Sequence, residues 1–156
     1  MPDEPLYRFP ADLLSLAAMV AHLQSSAHPC EGTALLRAET ALEELLTNSI
    51  VHGQAASTPS ASVWLAASAQ DGGLRLRYED AFAPFDPMAS IDAALRRTAN
   101  PMEQRPPGGL GLLMVFRLAD EFAYRRAQGR NRIDLQFTGR PIVLPATGDL
   151  AADTGA

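Results

Sequence analysis

With 156 residues the chain has the length of a single domain, which can bury roughly 70% of the surface its unfolded chain exposes around one core. A composition of 47% hydrophobic and 20% charged residues excludes intrinsic disorder, and a net charge of -5 argues against a protein that binds the phosphate backbone of nucleic acid broadly. The lone cysteine, Cys30, excludes an intrachain disulfide and a cysteine-rich metal site, and reads as a packing residue or idle thiol.

The chain opens "MPDEPLYRFPADLL", with acidic residues where a secretory signal would carry a basic region, and no apolar run approaches membrane-spanning length. A cytoplasmic protein is expected. "LYRF" suits a short strand, and "ADLLSLAAMVAHLQ" repeats apolar residues at helical spacing through Leu13, Leu16, Ala17, Val20 and Leu23. After the break "SSAHPCEG", the stretch from Thr33 to His52 predicts a longer helix, with Gly53 in the left-handed position beyond its end. "ASVWLAAS" and "LRLRYED" then predict two strands joined by the turn "QDGG".

Residues 81 to 111 break the pattern. They hold Pro84, Pro87, Pro101, Pro106 and Pro107 plus Gly108, Gly109 and Gly111, with a short helical stretch around Ile91 to Arg97. A connection of that length in a small domain reads as a functional lid or as disorder. "LGLLMVFRLAD" returns to helical spacing, and "EFAYRRA" and "RIDLQFT" predict two more strands across "QGRN". The order helix, helix, hairpin, lid, helix, hairpin predicts an antiparallel sheet with helices on one face, a single domain over residues 1–138, followed by a flexible tail over residues 139–156.

Within the long helix, Glu44 and Asn48 stand one turn apart and project along one line. An amide oxygen is a neutral hard ligand suited to Mg²⁺, and a carboxylate one turn away is placed to orient or deprotonate a hydroxyl attacking a phosphate. Taken alone, the same pair also reads as a surface acid and a hydrogen-bonded amide, and His52 as a helix cap. Asp80 closes a strand, where its carboxylate can accept from an exocyclic amine such as adenine's, with Phe85 closing an apolar pocket. "GGLGLL" offers close backbone approach to phosphates and entry to a helix N-terminus. No G-K-[ST] follows, so it is not a P-loop, and His22, His28 and His52 have no metal-ligand spacing.

Taken in order, "EELLTNSIVHG", "EDAFAPFDP" and "GGLGLLMVFRLADEF" resemble the nucleotide-binding boxes of the GHKL ATPase/kinase superfamily. Within it the chain is similar to the anti-sigma-factor serine/threonine kinases of bacterial partner switching, the RsbW type, from about Leu6 to Phe137. The resemblance implies an α/β (α+β) two-layer sandwich of the Bergerat type that binds ATP and Mg²⁺. It implies Asn48 as metal ligand, Glu44 as general base, Asp80 as the adenine acceptor, and Phe85, Gly108, Gly109, Leu110, Gly111 and Leu112 around the nucleotide. Arg96, Arg97 and Arg105 are candidates to neutralise phosphate oxygens, and Arg105 is the one placed in the site. The implied partners are an anti-sigma-factor antagonist of the STAS-domain class, which is phosphorylated, a sigma factor, and a second copy of the chain. A nucleotide-binding module without phosphotransfer is the alternative. One residue departs from the family pattern: Phe82 stands where the strand-end box D-x-G-x-x-F has glycine, which implies either a differently bent loop or a narrowed adenine pocket.

Overall fold

The computed structural model describes residues 4–30, 32–53, 60–98 and 109–139. Arg105, Gly108 and the tail from residue 140 lie outside the described residues. The elements are β1 (Tyr7–Pro10), a 3-10 turn (Leu13–Ser15) leading into α1 (Leu16–Ser26), α2 (Thr33–His52), β2 (Ser62–Gln70), β3 (Gly73–Asp80), α3 (Pro87–Thr98), α4 (Gly111–Leu118), β4 (Glu121–Ala127) and β5 (Arg130–Phe137). The strands form one antiparallel sheet in the order β1-β2-β3-β5-β4. This is the expected α+β sandwich.

Period-two alternation divides the sheet into an apolar and a charged face. Leu74, Leu76 and Tyr78 of β3 pair across β5 with Phe137, Leu135 and Ile133, and all six are buried in the core with Val63 and Leu65 of β2. Residues between them, Arg75, Arg77 and Glu79 on β3 and Arg132 and Asp134 on β5, take the opposite face, where Arg77 and Arg132 both bond Asp134. Continued by one step, the core-facing alternation sends Asp80 and its register partner Asn131 toward the helices. That step places two polar side chains at the edge of an apolar core.

Both hairpin turns use two residues of positive φ, Asp71 and Gly72 in one, Gln128 and Gly129 in the other, the geometry that matches the twist of the strands they join. The α2 helix buries Ala34, Ala38, Ala41, Leu42, Leu45, Leu46 and Ser49, at the three- and four-residue spacing of one face. Each of those leucines contributes roughly 1.5–3 kcal/mol by leaving water. Arg37 of the same helix is also buried: it donates to the Leu118 carbonyl (3.0 Å) and to Asp120 (3.2 Å), and it bonds the Thr138 carbonyl. It thereby ties α2 to the end of α4 and to both strands of the last hairpin.

The fold differs from the sequence reading at element ends. The α3 helix is longer than the expected Ile91–Arg97 because Asp86 caps it, accepting from the Met88 (2.9 Å) and Ala89 (3.2 Å) amides, and Pro87 occupies the first helical position, which needs no N–H. Gly53 does not take the left-handed conformation; its φ is -76°. Its value lies in space instead, since a Cβ there would stand 2.5 Å from the Phe82 ring. A second apolar cluster, Ile91 and Ala94 of α3 with Leu112 and Leu113 of α4, is flanked by Phe85 and Phe122 and fixes the two shorter helices to each other.

Candidate functional site

Because Leu42, Leu45, Leu46 and Ser49 of α2 face the core, Glu44, Asn48 and His52 fall on an adjoining line of the same helix, toward α4 and an open cavity. The cavity measures about 560 Å³, within the span of small-molecule sites. It is lined by Asn48, Ser49 and His52 of α2, Asp80 and Asn131 of the sheet, Phe82 to Phe85 of the loop after β3, one face of α3, and Gly109 and Leu112. The three sequence stretches singled out above thus meet in one place.

At the sheet end, Asp80 is 5% exposed and held from three directions. Its Oδ1 accepts from Asn131 Nδ2 (2.7 Å) and from the Phe82 amide (3.1 Å), and its Oδ2 accepts from Ser49 Oγ (3.0 Å). Tyr78 in turn donates to Ser49 Oγ (2.9 Å). Burial pushes the Tyr78 phenol well above the usual tyrosine range; the Ser49 bond opposes this and the Asp80 charge adds to it. The phenol therefore stays a donor, which fixes the direction of the relay from Tyr78 through Ser49 to Asp80. A carboxylate has about four acceptor positions, so Oδ2 keeps one for a donor in the cavity.

Asn131 is the second anchor. Its Nδ2 also donates to the Ala83 carbonyl (3.0 Å), and its Oδ1 accepts from Tyr124 Oη (3.0 Å) and Arg126 Nη1 (2.8 Å). Arg126 further donates to the Phe82 carbonyl (2.7 Å). The loop after β3 is thus held through its backbone, and Phe82, with no positive φ, needs no glycine-like conformation there. Its half-buried ring packs over Gly53 and lines the cavity, and Phe85 lines it beside Tyr124, ring centroids 5.6 Å apart. The Phe82 ring thus stands in the cavity wall.

Gly109 has φ +78°, and a Cβ on it would run into the Arg97 guanidinium. Arg96, its neighbour on α3, is exposed and is not among the lining residues. Gly111 opens α4, and a Cβ there would run into Glu44 Oε2. Glu44 therefore sits at the rim, against the N-terminus of α4, rather than among the lining residues, and Leu110 is exposed beside it while Leu112 is buried in the wall. Ser49, Asn131 and Arg126 were not singled out in the sequence. The signal for Asn131 was the alternation Asn131, Ile133, Leu135, Phe137, obscured by assigning "QGRN" wholly to a turn.

Among the described residues no group of three or more His, Cys, Asp or Glu side chains is placed to hold a metal ion by itself, and no helix is long and apolar enough to cross a membrane. No curated protein matches the chain. A solved structure of the RsbU and RsbW domains of Rv1364c from Mycobacterium tuberculosis matches with a TM-score of 0.50 at 18% identity, covering 86% of this chain and 32% of that one. The chain thus spans about a third of that protein's solved length, and the likeness is one of fold. The family model of the histidine kinase-like ATPase domain matches residues 9–137, the span that contains all five strands but the first two residues of β1, and the whole cavity. On that match, the chain belongs to the histidine kinase-like ATPase domain family.

Proposed function

We propose that this chain is an ATP-dependent serine/threonine protein kinase of the anti-sigma type, which phosphorylates an antagonist protein of the STAS-domain class and binds a sigma factor in its other state. The observation that carries the reading is the meeting of Asn48, Asp80 and Gly109 in one cavity, with Glu44 at the rim beside Gly111. The open acceptor position of Asp80 Oδ2 suits the exocyclic amine of adenine, and Phe82 and Phe85 supply apolar walls for the ring. The N-terminus of α4 favours anions and suits the phosphates.

The donor set fits Mg²⁺, which takes one or two protein oxygens beside phosphates and keeps several waters; Asn48 would hold it through its amide oxygen. When bound, the ion would supply charge neutralisation between the phosphates. Glu44 takes the proton of a partner serine or threonine hydroxyl as its oxygen bonds to the terminal phosphorus and the bond to ADP breaks. Asp80 and its anchors orient the base, and Asn48 and Glu44, one turn apart, keep metal ligand and proton acceptor in fixed relation. The transferred phosphate adds a charge of about -1.5 to -2 to the antagonist, enough to disrupt a fitted interface and free the kinase for its other partner.

A second reading, a nucleotide-binding module without transfer, is favoured by one feature: the Phe82 ring in the cavity wall. Incubation of the full chain with γ-labelled ATP, Mg²⁺ and candidate STAS-domain antagonists separates the two. Label on an antagonist serine or threonine, reduced at least 100-fold in Glu44→Gln while ATP affinity is kept, supports the kinase. Tight ATP binding with no label on any antagonist supports the module.

A further inference from the structure

We propose that Arg97 is the cation that holds the phosphate end of the nucleotide, and that Gly109 is glycine partly because the Arg97 guanidinium needs the space. The proposal rests on the ATP reading above and adds a binding residue that the motifs leave open. Three independent observations carry it. Among the described residues lining the cavity, Arg97 is the one arginine and Asp80 the one carboxylate. Arg97 lies against Gly109 at the approach to α4, whereas Asp80 is bonded to Ser49 and Asn131 at the sheet, so the cavity offers an acceptor for an amine at the sheet and a positive charge beside α4. A ligand with a base amine at one end and phosphates at the other matches that polarity, whereas an uncharged nucleoside matches only half of it.

The second observation is the face on which Arg97 stands. Ser90, Ala93 and Arg97 follow one another at spacings of three and four along α3 and all line the cavity. Ile91 and Ala94, on the other side of the helix, are buried against α4. The helix thus presents two small residues and then one long cation, with room beside the first two and charge at the end. Arg97 also lies in the last turn of α3, where a cation is favoured by the helix dipole.

The third is the contact with Gly109. Any side chain at residue 109 would meet the Arg97 Nη2, in addition to the strain of a φ of +78°. Gly109 therefore gives the guanidinium access to the entrance of α4, where the backbone amides of the first helical turn have no intrahelical acceptor and attract anions. Arg97 and those amides flank the same space. A planar guanidinium can engage two phosphate oxygens at once, which a lysine cannot.

The test measures binding of MgATP and of adenosine to the full chain in the wild type, Arg97→Ala and Arg97→Lys, by competition against one fluorescent ATP analogue. The expected result is a loss of ATP affinity of about 10- to 100-fold in Arg97→Ala, an intermediate loss in Arg97→Lys, and adenosine affinity within about twofold of wild type in both. In a double-mutant cycle, Gly109→Ala lowers ATP affinity in the wild-type background and adds far less in the Arg97→Ala background, because the seat is already empty. Unchanged ATP affinity in Arg97→Ala overturns the assignment, as does an equal loss for ATP and adenosine, which would mark a general disturbance of the fold. A wild-type chain that binds neither ATP nor the analogue overturns the ATP reading itself, an outcome distinct from both.

Discussion

Replacing Asp80 with asparagine changes one atom and inverts what the cavity sees. The substituted amide keeps an oxygen where Oδ1 now accepts from Asn131 and the Phe82 amide, because both of those groups are donors only. Its nitrogen must then take the Oδ2 position, facing Ser49 and the cavity. Ser49 Oγ can accept from it while still accepting from Tyr78, so the Tyr78 bond is kept and the Ser49 proton loses its Asp80 acceptor. The two bonds on the oxygen lose their charge assistance, a cost of about 1–2 kcal/mol in total. That corresponds to a fall in melting temperature of roughly 2–8 °C for a chain of this size.

The effect on the ligand is larger. An adenine amine that met an acceptor now meets a donor, and loss of a hydrogen bond to a charged group weakens binding by roughly 10- to 150-fold. A base with a carbonyl in place of the amine gains by the same inversion. Calorimetry with ATP and with inosine triphosphate, on wild type and Asp80→Asn, reads both: ATP affinity falls and the preference for ATP over the inosine nucleotide narrows or reverses. If both nucleotides lose affinity equally, or ATP binds as before, the orientation of the base against Asp80 is wrong.

Arg37→Leu removes the donor shared by the Leu118 carbonyl, the Thr138 carbonyl and Asp120, and is expected to lower unfolding free energy by about 1.5–3 kcal/mol, read as a shift of the urea midpoint; an unmoved midpoint would refute its role as a tie. Stability should also fall in acid. Burial pushes the Asp120 carboxyl up, but the Thr138 amide and hydroxyl and Arg37 outweigh it and hold the group below its ordinary value; for Asp134, Arg132 and Arg77 outweigh burial in the same way. Both folded values lie below the unfolded one, so the stabilisation is complete above about pH 4 and is lost as pH falls through the folded values. Melting temperature followed from about pH 5 to pH 2 should drop steeply in the wild type and less in Asp134→Asn, and identical slopes would contradict the linkage.

The α2 helix was legible because its apolar spacing and its polar line are written in the same twenty residues, and Glu44 and Asn48 need only that helix to be brought together. The "QDGG" turn was legible because Asp-Gly supplies the required backbone torsions locally. The anchors of Asp80 were not. Asn131 lies 51 residues from Asp80, and the pairing exists only once β3 and β5 are in register. Arg37 was not singled out, because only the closing hairpin and the end of α4 supply the three acceptors that let it be buried. Pro87 misled for a related reason: proline breaks a helix interior but suits its first position, and the Asp86 cap decides which applies. Of the three candidate arginines the sequence reading placed Arg105, which lies outside the described residues; that Arg97 rather than Arg96 lines the cavity depends on which face of α3 the Ile91 and Ala94 packing turns toward it.

A crystal structure of the full chain with Mg²⁺ and a non-hydrolysable ATP analogue tests the central claim most directly. The account predicts the adenine amine within hydrogen-bond distance of Asp80 Oδ2, the Asn48 amide oxygen on the metal, and the phosphates between Arg97 and the start of α4. A nucleotide seated elsewhere on the fold, or a cavity without nucleotide density at saturating concentration, would contradict it.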